Sequence, residues 1–111
     1  MASGYVPDTG DVVWLAFSPP AGREQPGHPP ALVLSPATYD GKTGMMLCCP
    51  MTTQIKGYPF EAVVGANPPS AILSDQVKSL DLRVRKAKRK GTIAVEVLDE
   101  VRGEIRELIG T

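Results

Sequence analysis

Ala31-Leu32-Val33-Leu34-Ser35-Pro36 is four consecutive apolar residues closed by a serine and a proline. A run this short, bounded by turn-forming residues, reads as a buried strand. The unit recurs on both sides. Upstream, Val12-Val13-Trp14-Leu15-Ala16-Phe17 is rich in strand-forming residues and ends before Pro19-Pro20. Downstream, Gly44 to Cys49 predicts a third strand stopped by Pro50, and Pro59 to Val64 a fourth. Asn67-Pro68-Pro69-Ser70 reads as a turn, and Ala71 to Ser74 as the start of a fifth strand continuing through Val77. Short strands separated by Pro/Gly turns predict a sandwich or a small barrel.

The segments between are polar. Met1 to Gly10 reads as a loosely held tail, and Thr52 to Gly57 as a polar loop. Ser18 to Pro30 is a long Pro/Gly-rich loop, and long loops in small domains often carry function. At the C-terminus the period changes. Val97, Leu98, Val101, Ile105, Leu108 and Ile109 fall at helical spacing, with acids and arginines on the opposite face. Thr92 is the expected cap of this helix, Gly110 its expected stop, and Gly103 costs it about 1 kcal/mol relative to alanine.

A chain of 111 residues predicts one domain, spanning 1–111. That length can bury a core without disulfides or metal. No apolar run approaches the roughly 20 residues that span a bilayer. The first residues lack the basic start and apolar middle of a signal peptide, so a cytoplasmic protein is expected, with no membrane partner. Cys48 and Cys49 are adjacent, point to opposite faces of a strand, and read as reduced thiols. No Cys/His spacing suggests zinc, and no metal or cofactor is expected. The formal net charge is zero, but Arg83, Arg85, Lys86, Lys88, Arg89 and Lys90 crowd one segment. That local patch is what a phosphate backbone meets. These features fit an RNA-binding barrel, an interaction module or a small enzyme equally well.

Three motifs carry the reading further: Tyr5-Val6-Pro7-Asp8-Thr9-Gly10-Asp11-Val12-Val13-Trp14 with Glu24-Gln25-Pro26-Gly27-His28-Pro29-Pro30-Ala31-Leu32-Val33-Leu34-Ser35-Pro36; Pro50-Met51-Thr52-Thr53-Gln54-Ile55-Lys56-Gly57-Tyr58-Pro59-Phe60-Glu61; and Asp75-Gln76-Val77-Lys78-Ser79. Together, in this order, they resemble the MazF/PemK family of type II toxin–antitoxin toxins. The resemblance implies a mainly β fold with a C-terminal helix, an SH3-like small β-barrel. It implies a homodimeric, metal-independent endoribonuclease that cuts single-stranded RNA by 2′-OH attack. It also implies a MazE-like antitoxin as partner, with operator DNA reached only through that antitoxin.

By the same resemblance Thr52 is the catalytic threonine, and Glu24 is the acid near the scissile phosphate. The family keeps an arginine just before the proline of the first motif, where this chain reads His28-Pro29-Pro30. Arginine is a fixed charge with several donors, and proline has neither charge nor backbone N–H. His28 is the candidate replacement for proton transfer, and Arg23 for charge. Lys56, Lys78, Arg83, Arg85 and Lys86 are the candidate RNA-binding residues. Trp14, Phe17 and Tyr58 are candidate base-stacking rings, the first two being more often core. A catalytically impaired member that still binds RNA or antitoxin, and a gyrase-poisoning toxin of the same architecture, are the rival readings.

Overall fold

The structure is a computed structural model that describes residues 5–15, 30–65 and 68–110. Among these, the elements run β1 (Asp11–Trp14), β2 (Pro30–Val33), α1 (Ala37–Thr43), β3 (Met45–Thr52), β4 (Glu61–Val64), β5 (Ser70–Leu73), β6 (Lys78–Asp81), α2 (Leu82–Arg85), β7 (Lys88–Thr92) and α3 (Val95–Ile109). The seven strands form one sheet in the order β4-β5-β3-β2-β1-β7, with β6 also on β3. Every pairing is antiparallel. Mainly β structure with a C-terminal helix is therefore correct, as a curled, barrel-like sheet whose end strands do not pair among the described residues.

β3 runs three residues further than expected, because Pro50 does not stop it. Its pairing with β6 ends at Cys48, and its pairing with β5 begins at Met51. Pro50 falls between these two partners, where a missing N–H is tolerated. The expected fifth strand is instead two: β5 ends at Leu73, a turn follows, and β6 begins at Lys78. The sequence pattern announces none of α1, α2 and β7.

Alternation along the strands sorts the apolar side chains into two cores. Val12, Leu32, Cys49, Ala62 and Ile72 face Leu98 and Val101 of α3. Val13, Leu15, Ala31, Val33, Met46 and Cys48 form the other core, closed by Leu80, Leu82 and Ala87. The adjacent cysteines thus enter different cores as free thiols. Burial pushes Cys48 up to about 11 and Cys49 up to about 12. Both stay protonated at neutral pH, which leaves them poor nucleophiles.

α3 begins at Val95 with Ala94 as its uncapped start, so Thr92 does not cap it. Gly110 ends it in the left-handed region, φ +77°, as expected. The apolar stripe is buried only at its first two turns. Leu108 and Ile109 are exposed.

The expected loose tail is tied down from Tyr5 onward. The Tyr5 hydroxyl donates to Asp11 at 2.5 Å, and Asp11 also accepts the Asp8 N–H. Asp8 in turn accepts the N–H of Ala37, the first residue of α1. Pro36 offers α1 no side-chain cap, so a carboxylate 29 residues away supplies it.

Within α1, Asp40 is fully buried. Its Oδ1 accepts the Ser35 hydroxyl at 2.6 Å, and its Oδ2 has no partner among the described residues. Burial, aided by the Asp8 charge, raises its pKa above the ordinary 3.8. The folded chain therefore holds this proton more tightly than the unfolded one, and stability falls as pH rises through the raised value. Asp40→Asn keeps the acceptor for Ser35 and removes the buried charge. The stability of Asp40→Asn relative to the unaltered protein is therefore expected to be more favourable at pH 7 than near pH 4. Urea titrations of both proteins across that range check this.

Candidate active site

Thr52 is the last residue of β3, and it opens the loop that leads to β4. It pairs with Ala71 of β5, which pairs with Val63 of β4. Leu73 and Glu61 are paired two residues further along the same two strands. Alternation therefore puts Thr52, Leu73 and Glu61 on one face. The loop after Thr52 folds back over that face and encloses a cleft of ≈190 Å³. Thr52, Glu61 and Leu73 line it from the sheet, Gln54, Lys56 and Tyr58 from the loop, and Asp75 and Gln76 from the turn after β5.

The loop takes its shape from one carboxylate. Glu61 is buried, and its Oε1 accepts the backbone N–H groups of Lys56 at 3.1 Å, Gly57 at 2.8 Å and Tyr58 at 3.2 Å. Three successive N–H groups can converge on one acceptor only if the chain turns sharply. Gly57 supplies that turn at φ +83°. With the backbone held this way, the Lys56 and Tyr58 side chains remain exposed at the rim.

Thr52 Oγ1 accepts the Gln54 N–H at 3.0 Å. The hydroxyl proton is therefore left to donate, and the donor stands in a cleft with an ammonium at its edge. A hydroxyl donor beside a cation suits an anionic oxygen such as a phosphoryl group.

The predicted site residues divide. Thr52 and Lys56 share the cleft. Lys78 is exposed on β6, two residues beyond Gln76 and opposite Cys48. Arg83 and Arg85 lie on α2, and Lys86 ends it at φ +51°. α2 follows Asp81, which pairs with Met45 at the far end of β3, about 23 Å along the strand from Thr52. Arg83 there lines a different cleft, with Tyr5 and Lys42. The basic run is therefore not one surface around Thr52.

Glu24, His28, Arg23, Pro29 and Phe17 lie outside the described residues. The chain does enter β2, at Pro30, on the Thr52 side of the molecule: Ala31 is opposite Pro50, two residues before Thr52. Sequence reasoning missed Gln54, Glu61, Asp75 and Gln76 as cleft residues. The one signal was that all four fall inside the quoted motifs. Among the described residues no group of three or more His, Cys, Asp or Glu could hold a metal ion.

The sequence profile of the PemK-like, MazF-like toxins of type II toxin–antitoxin systems matches residues 8–109. A protein of Escherichia coli (strain K12) named endoribonuclease toxin MazF is 54% identical over 111 residues, covering 99% of this chain and 100% of that one. The crystal structure of MazF from Deinococcus radiodurans superposes with a TM-score of 0.84 at 49% identity, over 97% of this chain and 100% of that chain. A MazE–MazF structure from the same organism gives a TM-score of 0.87 at 48% identity, over 96% and 99%.

Glu61→Ala removes the acceptor of three backbone N–H groups and is expected to cost about 1–3 kcal/mol. Hydrogen exchange at Lys56, Gly57 and Tyr58 should accelerate well before exchange in β3, which NMR can resolve residue by residue.

Proposed function

Because the chain belongs to the family of PemK-like, MazF-like toxins of type II toxin–antitoxin systems, we propose that it is an endoribonuclease toxin whose Thr52 cleft receives the scissile phosphate of single-stranded RNA. The observation that carries this reading is the Thr52 hydroxyl, its acceptor side occupied by Gln54 and its proton available, in a cleft edged by Lys56.

The chemistry needs no metal, because the nucleophile is on the substrate. The ribose 2′-OH attacks the adjacent phosphorus. The 2′-oxygen–phosphorus bond forms, the bond to the 5′-oxygen breaks, and a 2′,3′-cyclic phosphate and a 5′-OH remain. The 2′-OH proton leaves to a base, and another proton reaches the departing 5′-oxygen. Thr52 donates to a phosphoryl oxygen as charge grows there, and Lys56 stabilises the same charge. The carboxamides of Gln54 and Gln76 and the Asp75 carboxylate offer hydrogen bonds to a base edge, which would hold the nucleotide in register. Glu24 takes the part of the acid beside the phosphate, and His28, for proton transfer, and Arg23, for charge, are the candidates to replace the missing arginine.

Pro29 stands where the family keeps an arginine, and nothing else in the quoted motifs departs from the pattern. A protein that folds and binds RNA and a MazE-like antitoxin, but cuts slowly, follows from that one position. The proposed setting is a cytoplasmic homodimer that meets operator DNA only through the antitoxin. No helix among the described residues is long and apolar enough to cross a membrane.

Pro29→Arg is expected to raise cleavage of a long single-stranded RNA in metal-free buffer by at least about 10²-fold, the low end for restoring an acid/base group. Thr52→Ala in that background should lower it again by about 10²- to 10³-fold. Equal rates for the unaltered protein and the Pro29→Arg variant would hand the chemistry to His28 or Arg23. Inertness of both across diverse RNAs would sink the ribonuclease reading and leave gyrase inhibition to be tested.

The division of the basic residues makes a second expectation. Lys56→Ala with Lys78→Ala should weaken RNA binding and lower the slope of log K against log salt by about one unit per lost phosphate contact. Replacing Arg83, Arg85 and Lys86 should do the same if RNA runs the length of β3, and leave the slope unchanged if it stays at the Thr52 end. Titrations at several salt concentrations decide.

A further inference from the structure

Trp14 is the chain's only tryptophan, and it is not core. It ends β1 with 37% of its surface exposed. Strand register explains what surrounds it. β1 pairs with β7 through Asp11–Thr92, Val12–Gly91, Val13–Arg89 and Trp14–Lys88, so Lys90 is the extra residue of a β-bulge. The bulge brings Lys90 Nζ over the indole, 5.1 Å from the ring centroid. Lys88, exposed, is the register partner of Trp14 and stands beside it on the same face. On the other side Trp14 pairs with Pro30, and β2 in turn pairs with β3 so that Ala31 meets Pro50.

Trp14 is thus level with the Thr52 end of β3 and two strands away, about 10 Å at ordinary strand spacing. By alternation its ring leaves the sheet on the face opposite Thr52. A ring more than a third exposed, with one ammonium over it and a second lysine as its register partner, is poorly explained as packing. It has the makings of a nucleic-acid contact, since every base offers a π-face and every linkage a phosphate.

We infer that Trp14, with Lys88 and Lys90, forms a stacking platform for a nucleotide that flanks the scissile site. This inference rests on the ribonuclease reading of the Thr52 cleft. Lys90 fixes the indole at the edge of the sheet by holding one part of its face. Lys88 meets the phosphate beside the stacked base. Because the ring and Thr52 lie on opposite faces, the RNA strand must turn round the end of β2 to touch both. The platform therefore engages only oligonucleotides long enough to leave the cleft, and it contributes affinity rather than bond cleavage.

Tryptophan emission reports this ring alone. The probes are 2′-O-methyl RNAs of mixed sequence, which lack the nucleophile, as a 3-mer and a 15-mer carrying a terminal label for anisotropy. The 15-mer is expected to quench Trp14, and the 3-mer to leave it unchanged. Trp14→Ala should weaken binding of the 15-mer by about 5- to 100-fold, the range for losing one stacked base. Trp14→Phe should recover most of that loss. Lys88→Ala and Lys90→Ala should each weaken the 15-mer and spare the 3-mer. If Trp14→Ala fails to fold by circular dichroism, quenching in the unaltered protein and the affinity of Trp14→Phe decide. Binding of the 15-mer by anisotropy without quenching, and with equal affinity in Trp14→Ala, overturns the platform and leaves the ribonuclease reading intact. No binding of either oligonucleotide, together with no cleavage by Pro29→Arg, overturns both.

Discussion

Strand β3 carries the hydrogen-bond register on which the rest depends. Its eight residues pair with β2, β5 and β6. Cys48 alone is opposite both Val33 and Lys78, so β2 and β6 lie on its two edges. A one-residue slip of any of these partners would send its apolar side chains to the wrong face. Because successive residues of β3 feed different cores, Cys48 with Met46 and Cys49 with Leu32, a slip would disrupt both at once. The same register delivers Thr52 to the end of the sheet, beside Ala71 and on the face of Leu73 and Glu61. The cleft is built where a rigid strand hands over to a loop.

What the loop needs in addition is an internal anchor, and Glu61 provides it. A backbone leaving a strand loses its ladder partners, and buried N–H groups must find others. The Glu61 carboxylate gathers three of them and is itself fixed by the β4–β5 pairing. Across the cleft, the turn that carries Asp75 and Gln76 is held from behind. Ser74 is fully buried; its N–H donates to the Phe60 carbonyl at 3.0 Å and its hydroxyl to Glu104 of α3 at 2.6 Å. Loop and turn are therefore joined to each other and to the C-terminal helix. The cleft is preorganised by groups that do not face it, which is how a few exposed polar side chains acquire fixed positions.

The parts legible in the sequence are those where local pattern and tertiary environment agree. Ala31–Val33 and Val12–Val13 are apolar because both of their faces are covered, and α3 shows its period because one face is. The parts that were missed owe their structure to distant partners. Lys88–Thr92 contains no apolar residue, yet it is a strand because it pairs with β1, and its charges suit an edge. Ala37–Thr43 has no apolar stripe, and its N-terminus is capped by Asp8. Pro50 reads as a stop, yet it sits within β3, between β6 and β5. The site follows the same division. Thr52 and Lys56 were found through the motif they share, whereas the role of Glu61 depends on a fold-back that no spacing announces. Charge counting grouped Lys56, Lys78 and Arg83 to Lys86, and topology then set α2 at the other end of β3.

This separation of register from chemistry bears on position 29. The stability of the sheet resides in paired backbone and in two cores, and the residues that make them, Leu32, Val33, Cys48 and Ile72 among them, are fully buried within their strands. Thr52 and Lys56, proposed to meet the phosphate, lie at the end of β3 and in the loop after it. Relative to the family's arginine, Pro29 removes a charge and an N–H, and both cores among the described residues are made from other side chains. Selection on folding and selection on cleavage thus act on different residues, and a chain can keep every structural mark of the family while one change sets its rate. For that reason the match over residues 8–109 speaks for the architecture throughout, whereas the speed of the reaction depends on the few side chains that reach the phosphate.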